Sequence, residues 1–439
     1  MKPLGETAGA SGEVSAVQPW TLYSPRERWL LLSVMFMLML ITMIDRNITA
    51  ILLEPIKKEF GVSDTQLGLM SGLAFAVLYS VMGLPLSRIA DRYDRKWLII
   101  VSASIWSLFT ILCGTAQKFW QLLVFRMGVG AAEAGSIPPS QSLIVDYFPP
   151  EDRGKAISIY MAGSGIAFII ALAGGGWIAQ HYGWRAALYA CGAVGLPVVL
   201  LAMIVLSEPR KRLPAHARVD QAPTEPMVAT LSALFRKRAF VYLLIGLTLY
   251  FATAQGAVVF IPSFMIRNHG LSITETGLLV GIAATIASLL STVFGGVMSD
   301  RLSRRDAKWL SWVPGVCALV ALPMFEVTVW AGSLWLAIPV YAIAVSATAA
   351  SFPSLLTAIH AVCGTRRRAF AIAVAMGLSN LVGQSLGPFM TGAISDFFGA
   401  TLGPAEGLRR GLAVAFLLYL PMGLTLLAAG KYMARDSEA

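Results

Sequence analysis

The sequence predicts an all-α membrane protein in which twelve transmembrane helices form two six-helix bundles, related by a pseudo-two-fold axis along the membrane normal. Three observations carry this prediction. The composition is strongly apolar, the lysines and arginines fall mainly on one side of the predicted spans, and the two halves of the chain repeat each other. The first two concern the single helices, and the third concerns their arrangement.

The composition excludes most classes of soluble protein. Of 439 residues, 56% are hydrophobic and 13% are charged, whereas an average soluble domain has about 45–50% apolar and about 25% charged residues. The 34 lysines and arginines occur in short clusters between apolar runs, which indicates loops rather than a nucleic-acid-binding face. Four cysteines without a CxxC pair, and four histidines without metal-ligand spacing, predict neither a disulfide framework nor a metal site.

Twelve apolar segments are long enough to span a bilayer, which needs about 20 apolar residues. An N-terminal bundle (29–206) holds those predicted at 29–53, 65–90, 97–116, 120–146, 155–179 and 185–206. A C-terminal bundle (239–431) holds those predicted at 239–264, 274–299, 308–328, 333–358, 367–394 and 409–431. The tails (1–28 and 432–439) and a linker (207–238) are polar, and the linker is predicted to contain a short interfacial helix near 231–235.

The distribution of positive charge predicts the orientation. With both termini in the cytoplasm, 25 of the 34 lysines and arginines lie in cytoplasmic segments, and 7 lie on the opposite side. Cytoplasmic loops of membrane proteins carry such an excess of Lys and Arg. The polar N-terminal tail lacks the apolar stretch of a cleavable signal peptide. We therefore expect a multi-pass protein of the cell (inner) membrane, with membrane lipids as neighbours and a monomer as the default state.

The two halves align without gaps at an offset of 209 residues. From Gly61 to Lys96 this alignment gives 10 identities over 36 positions, and glycine and polar residues carry the match rather than leucine. Both copies run from one end of a span to the loop beyond its other end, so the two halves share one orientation. Parallel repeats of this kind are related by an axis along the membrane normal.

The repeated loop contains charges that suggest a gate. Asp91, Arg92 and Arg95 in the first half match Asp300, Arg301 and Arg304 in the second. An aspartate at a helix end, beside arginines, can form an ionic latch to a neighbouring helix in one state of a rocking pair of bundles. Alternatively, these residues only set the topology, although the positive-inside rule does not require the aspartate.

This loop resembles a motif of the major facilitator superfamily, in which a glycine precedes Asp-Arg and a further Gly-Arg-Arg/Lys. The chain has Ser-Arg-Ile-Ala-Asp-Arg-Tyr-Asp-Arg-Lys at 87–96 and Gly-Val-Met-Ser-Asp-Arg-Leu-Ser-Arg-Arg at 296–305. Gly-Trp-Arg at 183–185 is also similar to that superfamily. Ser87, Asp94 and Ser303 depart from its glycines. The resemblance covers essentially the whole chain and implies the major facilitator fold.

Four charges stand out among those within the predicted spans, because burial of a charge in the membrane is costly. Asp45 and Arg46 are adjacent on the first helix and point roughly 100° apart, whereas Arg126 and Glu133 on the fourth are about two turns apart and face the same way. They could be a structural salt-bridge cluster. However, the offset of 209 maps Asp45 and Arg46 onto Ala254 and Gln255, so the second half folds without such charges.

These charges suit proton-coupled transport of an anion. Burial favours the neutral form of a carboxyl and a nearby arginine favours the charged form, so Asp45 and Glu133 can take up and release protons. Arg126 stays charged and can bind a phosphate or carboxylate with two parallel hydrogen bonds. Arg46 could do the same, or could be the resting partner of Glu133.

The residues around these four charges indicate a particular branch of the superfamily. Ile-Asp-Arg-Asn at 44–47 and Arg-Met-Gly-Val-Gly-Ala-Ala-Glu-Ala at 126–134 resemble the spinster-like branch, which is associated with export of sphingosine-1-phosphate and lysolipids. The resemblance implies proton-sensing roles for Asp45 and Glu133 and a head-group role for Arg126. Organic-anion:proton symporters have a similar stretch on the fourth helix.

Two carrier hypotheses follow: proton-coupled transport of lysolipid-like amphiphiles and symport of small organic anions. Tyr79, Gln255 and Asn380 are candidate cavity residues, although polar side chains in spans also bond between helices. No P-loop, nucleophile elbow or metal cluster indicates an enzyme or a nucleotide-driven pump. We therefore expect no catalytic residues and no cofactor, with the proton as the coupling ion.

Overall fold

The structure, a computed structural model, describes residues 18–212 and 227–437, and for residues 84, 91, 227–229 and 365–369 it describes the backbone alone. Within these ranges the secondary structure is helical, which confirms the all-α prediction. Parts of the predicted tails (1–17 and 438–439) and of the predicted linker (213–226) lie outside the described residues. We number the spanning helices α1–α12.

The first six helices form the N-terminal bundle. Their bounds are α1 Pro25–Phe60, α2 Asp64–Ala90, α3 Arg95–Thr115, α4 Phe119–Glu133 with Ile137–Tyr147, α5 Pro150–Tyr182 and α6 Trp184–Val205. α1 is longer than the predicted 29–53 because its ends are fixed by local signals. Ser24 and Glu27 form a capping box at its start, and Gly61 ends it in the left-handed conformation.

The last six helices form the C-terminal bundle. Their bounds are α7 Arg238–His269, α8 Ile273–Ser303, α9 Trp309–Trp330, α10 Leu334–Gly364, α11 Phe370–Leu402 and α12 Pro404–Asp436. A further helix, Met227–Arg236, precedes α7 at the position of the helix predicted in the linker. Its Leu234 is buried and its Phe235 packs edge-on against Phe240 at the start of α7.

Eleven helices in the described ranges are long and apolar enough to cross a membrane, by length and composition. The twelfth, α4, is broken at 134–136 into pieces of 15 and 11 residues, whereas the sequence predicts one helix over 120–146. Pro138 and Pro139 explain the break, because neither has the N–H that would bond to the carbonyl four residues earlier. Hydropathy does not detect this loss of backbone hydrogen bonds.

Both bundles begin and end at one end of the molecule. Before α1, Tyr23 stacks on Tyr147, whose hydroxyl lies 2.6 Å from that of Ser207, just after α6. The N–H of Ala239, near the start of α7, donates to Asp436 at the end of α12. We call this the linker end. The opposite end, where α1 and α7 finish, is called the far end.

Turns at the far end repeat between the halves. Gly61 and Gly270 both end a helix with φ near 65°, at 63° and 68°, and Gly183 and Gly403 both connect two helices with φ of 86° and 88°. Positive φ is accessible to glycine at little cost. The repeat predicted from residues 61–96 therefore extends to the turns of the fold, as expected for two bundles of the same topology.

The two bundles contact each other closely in the far half of the molecule. Gly68 of α2 lies against the backbone of Pro388 on α11, and Gly277 of α8 lies against the backbone of Leu172 on α5. A Cβ atom at either glycine would overlap the facing carbonyl group. The two glycines are partners in the offset of 209, so the same small residue creates both bundle-to-bundle contacts.

Candidate functional site

Two adjacent charges on α1 meet two charges on α4. Arg126 and Glu133 lie on one face of α4, as predicted, and this face is turned toward α1. The Nη1 atom of Arg126 lies 3.2 Å from Oδ1 of Asp45, and Nε of Arg46 lies 2.6 Å from Oε2 of Glu133. The four predicted residues thus come together as two ion pairs, which we call the ionic quartet.

The members of the ionic quartet differ in exposure. The side chains of Asp45 and Glu133 are 2% and 0% exposed, and that of Arg126 is 4% exposed. Arg46 is 19% exposed and is the most accessible of the four. Arg46 contacts Glu133 in this structure. This pairing is one of the two alternatives that the sequence left open for Arg46. A ligand that approaches the quartet therefore meets Arg46 before it meets Arg126.

Several polar atoms of the quartet have unused hydrogen-bonding capacity. Nη2 of Arg46, Nε of Arg126 and Oε1 of Glu133 are buried and have no hydrogen-bond partner among the described residues. Buried polar atoms in proteins are nearly always paired, and exceptions often mark functional sites or ordered water. The quartet can therefore accept further partners, such as water, a proton or an anionic group, while both ion pairs remain in place.

Three further residues surround the ionic quartet, and two of them, Thr110 and Phe75, were not singled out by the sequence. The hydroxyl of Thr110 on α3 donates to Oδ2 of Asp45 at 2.7 Å. Phe75 and Tyr79 of α2 stack on each other, and the guanidinium of Arg46 lies 5.0 Å and 4.5 Å from their ring centroids. Tyr79 was predicted, whereas Phe75 could have been found from its position one helical turn earlier on the same face.

Gly130 does not open space for a ligand in this structure. It lies between Arg126 and Glu133 on α4, where the absence of a side chain leaves room for a neighbouring group. A Cβ atom at Gly130 would come within 2.5 Å of the carbonyl oxygen of Phe75. The partner is therefore α2, and the glycine allows α2 to bring its two aromatic rings beside the quartet.

The polar candidates of the C-terminal bundle lie in two irregular turns. Gln255 belongs to a π-helical turn of α7 (Phe251–Gly256), and Asn380 belongs to one of α11 (Asn380–Gln384). The two turns pack against each other, and π-helical turns occur frequently at functional sites. Gln255 is exposed in mid-helix, whereas Nδ2 of Asn380 donates to the carbonyl of Met376 on its own helix. Of the two amides, Gln255 is therefore the more accessible.

Among the predicted gate residues at the linker end, Arg95 has the best-defined contacts. Arg95 is buried and binds Glu208 after α6, Asp146 on α4 and Ser142 on α4. It thus joins three segments of one bundle rather than two bundles. Among the other predicted gate residues, the side chain of Asp91 lies outside the described residues, and four are exposed: Arg92, Asp300, Arg301 and Arg304.

An ionic network that the sequence did not predict joins the two bundles at the far end. Arg267 of α7 contacts Asp64 at the start of α2 and Glu54 of α1, with nitrogen-to-oxygen distances of 2.6–2.8 Å. Lys57 binds the same Asp64 at 2.6 Å. Asp396 of α11 accepts hydrogen bonds from the backbone N–H groups of Asp64 and Thr65. This far-end network fastens the two bundles to each other at that end.

The sequence of the chain identifies its family. Residues 35–388 match the profile of the Major Facilitator Superfamily. The chain belongs to this family. Its members are transporters rather than enzymes, so this facilitator is a multi-pass membrane protein that carries out secondary transport. The family match confirms two predictions from the sequence: the major facilitator fold, and a protein that is a transporter rather than an enzyme.

Individual relatives confirm the spinster-like resemblance. The facilitator is 30% identical over 390 residues to an MFS-type efflux pump of Mycolicibacterium smegmatis, with 89% of each chain covered. It is 27% identical over 405 residues to human protein spinster homolog 1, covering 87% of the facilitator and 75% of that protein. It also matches a crystal structure of a bacterial homologue of the human lysosomal transporter spinster, in an inward-facing and unoccupied conformation. That match has a TM-score of 0.84 at 26% identity and covers 95% of the facilitator and 100% of the other chain.

Proposed function

We propose that this facilitator transports amphiphilic lipids with an anionic head group, such as lysophospholipids or sphingosine-1-phosphate-like molecules, in exchange or symport with protons. The observation that carries the proposal is the ionic quartet, in which each of two buried carboxylates is paired with its own arginine. Intramembrane charges of this kind mark proton relays and substrate pathways in transporters. We also propose that both termini lie in the cytoplasm and that the protein works as a monomer in the cell membrane.

Protonation of the quartet changes what its arginines can bind. A proton on Glu133 removes the charge that holds Arg46, and a proton on Asp45 does the same for Arg126. The released guanidinium then has two or more N–H groups available for a phosphate or carboxylate. Proton uptake and anion binding are linked through the same two ion pairs, which is the coupling that a secondary carrier requires.

The head group of the lipid would have polar partners in both bundles. Arg46 is the accessible cation, and Tyr79 and Phe75 hold its guanidinium plane from one side. Arg126 becomes available after Asp45 is neutralised. Gln255 and Asn380 of the facing bundle would contribute further polar contacts to the head group. The resemblance of 44–47 and 126–134 to the spinster-like branch supports this substrate class.

In alternating access, the far end and the linker end of the molecule would open and close in turn. The far-end network and the Gly68 and Gly277 contacts hold the far end closed, as expected for an inward-facing state of a carrier with a cytoplasmic linker. We propose that the opposite state is latched at the linker end by the repeated loop, through Asp91 with Arg92 and their counterparts Asp300, Arg301 and Arg304.

The test is flux of labelled lysophospholipid and sphingosine-1-phosphate in proteoliposomes, with and without an imposed pH gradient. Wild type is compared with Asp45→Asn and Glu133→Gln, and Glu151→Gln serves as the control because Glu151 is an exposed acid in the same bundle. We expect flux that depends on the gradient in wild type and control, and loss of this dependence in both quartet variants. Thermal unfolding of each variant verifies that it is folded.

Other outcomes would change the proposal in defined ways. Saturable lipid flux that ignores the gradient in every variant would retain the substrate and exclude proton coupling through the quartet. Transport of small carboxylates without lipid flux would favour the organic-anion symporter instead. Binding of lipid without any flux would exclude a carrier.

A further inference from the structure

The outer surface of the C-terminal bundle contains an apolar groove near the linker end. It lies between the first half of α9 and the second half of α12, and its volume is about 560 Å³. The residues that line it are Trp309, Trp312, Val316, Leu424, Leu427, Ala428 and Lys431. Val316 and Leu424 are exposed on the surface of the bundle. The groove is separate from the ionic quartet, which lies in the other bundle.

The floor of the groove is rigid because α9 and α12 are fastened to each other. Nε1 of Trp312 donates to the carbonyl of Leu427 at 3.1 Å, and the hydroxyl of Ser311 donates to the carbonyl of Leu426. Gly430 is in contact with the indole of Trp312, so a side chain at this position would displace the ring. The groove is therefore a formed feature of the helix pair and not a gap between mobile side chains.

The mouth of the groove at the linker end is positively charged. Lys431 lines it, is exposed, and forms no ion pair within the part of the chain that the structure describes. The ammonium of Lys308 lies 4.9 Å from the ring of Trp312, although Asp306 also binds it at 3.0 Å. Tryptophan and lysine at the end of an apolar surface are typical of the level at which lipid head groups lie.

We propose that this groove binds an anionic diacyl phospholipid of the leaflet at the linker end. One acyl chain lies along Val316, Leu424 and Ala428, and the phosphate is bound by Lys431. The charge favours an anionic lipid over a zwitterionic one, because basic pockets between transmembrane helices bind acidic head groups. The proposal is independent of the transported substrate, since it concerns a lipid that stays bound to the outside of the bundle.

The test uses full-length protein in phosphatidylcholine vesicles that contain a small fraction of photoactivatable lipid. Phosphatidylglycerol and phosphatidylcholine carrying the same diazirine on one acyl chain are compared, and cross-linked peptides are mapped by mass spectrometry. We expect cross-links at 309–316 and 424–431 to be about fivefold enriched for phosphatidylglycerol, the factor that one lysine contributes near an anionic head group.

Matched variants make this test specific. Lys431→Gln should remove the enrichment at the groove. Lys155→Gln is the matched control, because Lys155 also contacts a tryptophan, Trp29. Lys155 belongs to the other bundle, so this variant should leave the enrichment at the groove unchanged. Ala428→Phe should fill the groove and reduce cross-linking by both lipids there.

Three results would overturn the proposal. The first is equal cross-linking by the two lipids, and the second is an enrichment that survives Lys431→Gln. The third is the absence of cross-links by either lipid at these peptides, as expected if a second copy of the chain covers the groove.

Discussion

Arg267 holds both carboxylate oxygens of Asp64, with Nη1···Oδ2 and Nη2···Oδ1 distances of 2.7 and 2.8 Å. The two residues are 203 positions apart and belong to different bundles. Both side chains are buried, and Ser395 of α11 donates a further hydrogen bond to Asp64 at 2.6 Å. The carboxylate of Asp64, at the start of α2, thus binds groups on both α7 and α11 of the other bundle. Opening the far end requires this carboxylate to lose all of them.

Arg267→Gln should therefore shift the facilitator toward a state that is open at the far end. Removing one partner of a buried, hydrogen-bonded charge pair costs about 2–5 kcal/mol, and this cost falls only on the state in which the pair forms. Spin labels at Lys58 and Thr401, exposed on opposite bundles, would report the change as longer distances by electron–electron double resonance. Arg185→Gln is the control, because Arg185 binds Glu59 at 2.6 Å within one bundle at the same end.

The glycines at the bundle contacts give a second way to open the far end. Gly68→Ala and Gly277→Ala should each place a methyl group against a carbonyl across the interface, at a cost of about 1–3 kcal/mol to the closed state. The same spin labels would measure the shift. Gly83→Ala and Gly296→Ala are matched controls on the same two helices, because nothing lies within 4 Å of a Cβ at either position. Equal behaviour of all four variants would contradict this account of the contacts.

The sequence predicts the helices better than it predicts their contacts. Apolar length and the repeat suffice for the spans, since both are properties of the chain alone. The spacing of Arg126 and Glu133 places them on one face, as the structure confirms. Their pairing with Arg46 and Asp45 depends on how α1 is rotated relative to α4, and no local pattern encodes that rotation.

The far-end network was missed for a related reason. Lys57 and Arg267 entered the sequence argument only as the few positive charges on the side opposite the linker. Charges at the ends of transmembrane helices are common because they reach water there, so neither residue stands out. The nearby acids Glu54 and Asp64 were a usable signal, since four charges near predicted helix ends on one side suggest pairing.

The aromatic pair beside Arg46 should stabilise the quartet. A guanidinium over an aromatic ring contributes roughly 0.5–2 kcal/mol, and more when it is removed from water. Tyr79→Leu should therefore lower the thermal stability and weaken binding of an anionic substrate, because Arg46 loses the ring that lies 4.5 Å away. Tyr79→Phe keeps the ring and should reduce both quantities less than Tyr79→Leu does. If the two variants were equally impaired, the hydroxyl rather than the ring would be the important group.

Arg95 should act on the stability of one bundle rather than on the exchange between states. It is buried and is held by Glu208 at 2.5 Å and by Asp146 at 2.6 Å, so Arg95→Gln leaves two acids without their cation, and Glu208 is itself buried. Removing one partner of a buried pair costs about 3–5 kcal/mol. Thermal unfolding in detergent should show this loss, while Arg92→Gln, an exposed change in the same loop, should leave the melting temperature within error. If Arg95→Gln does not accumulate, Glu208→Gln provides a milder test of the same contact. A shift in the spin-label distances at unchanged thermal stability would instead assign Arg95 to the gate.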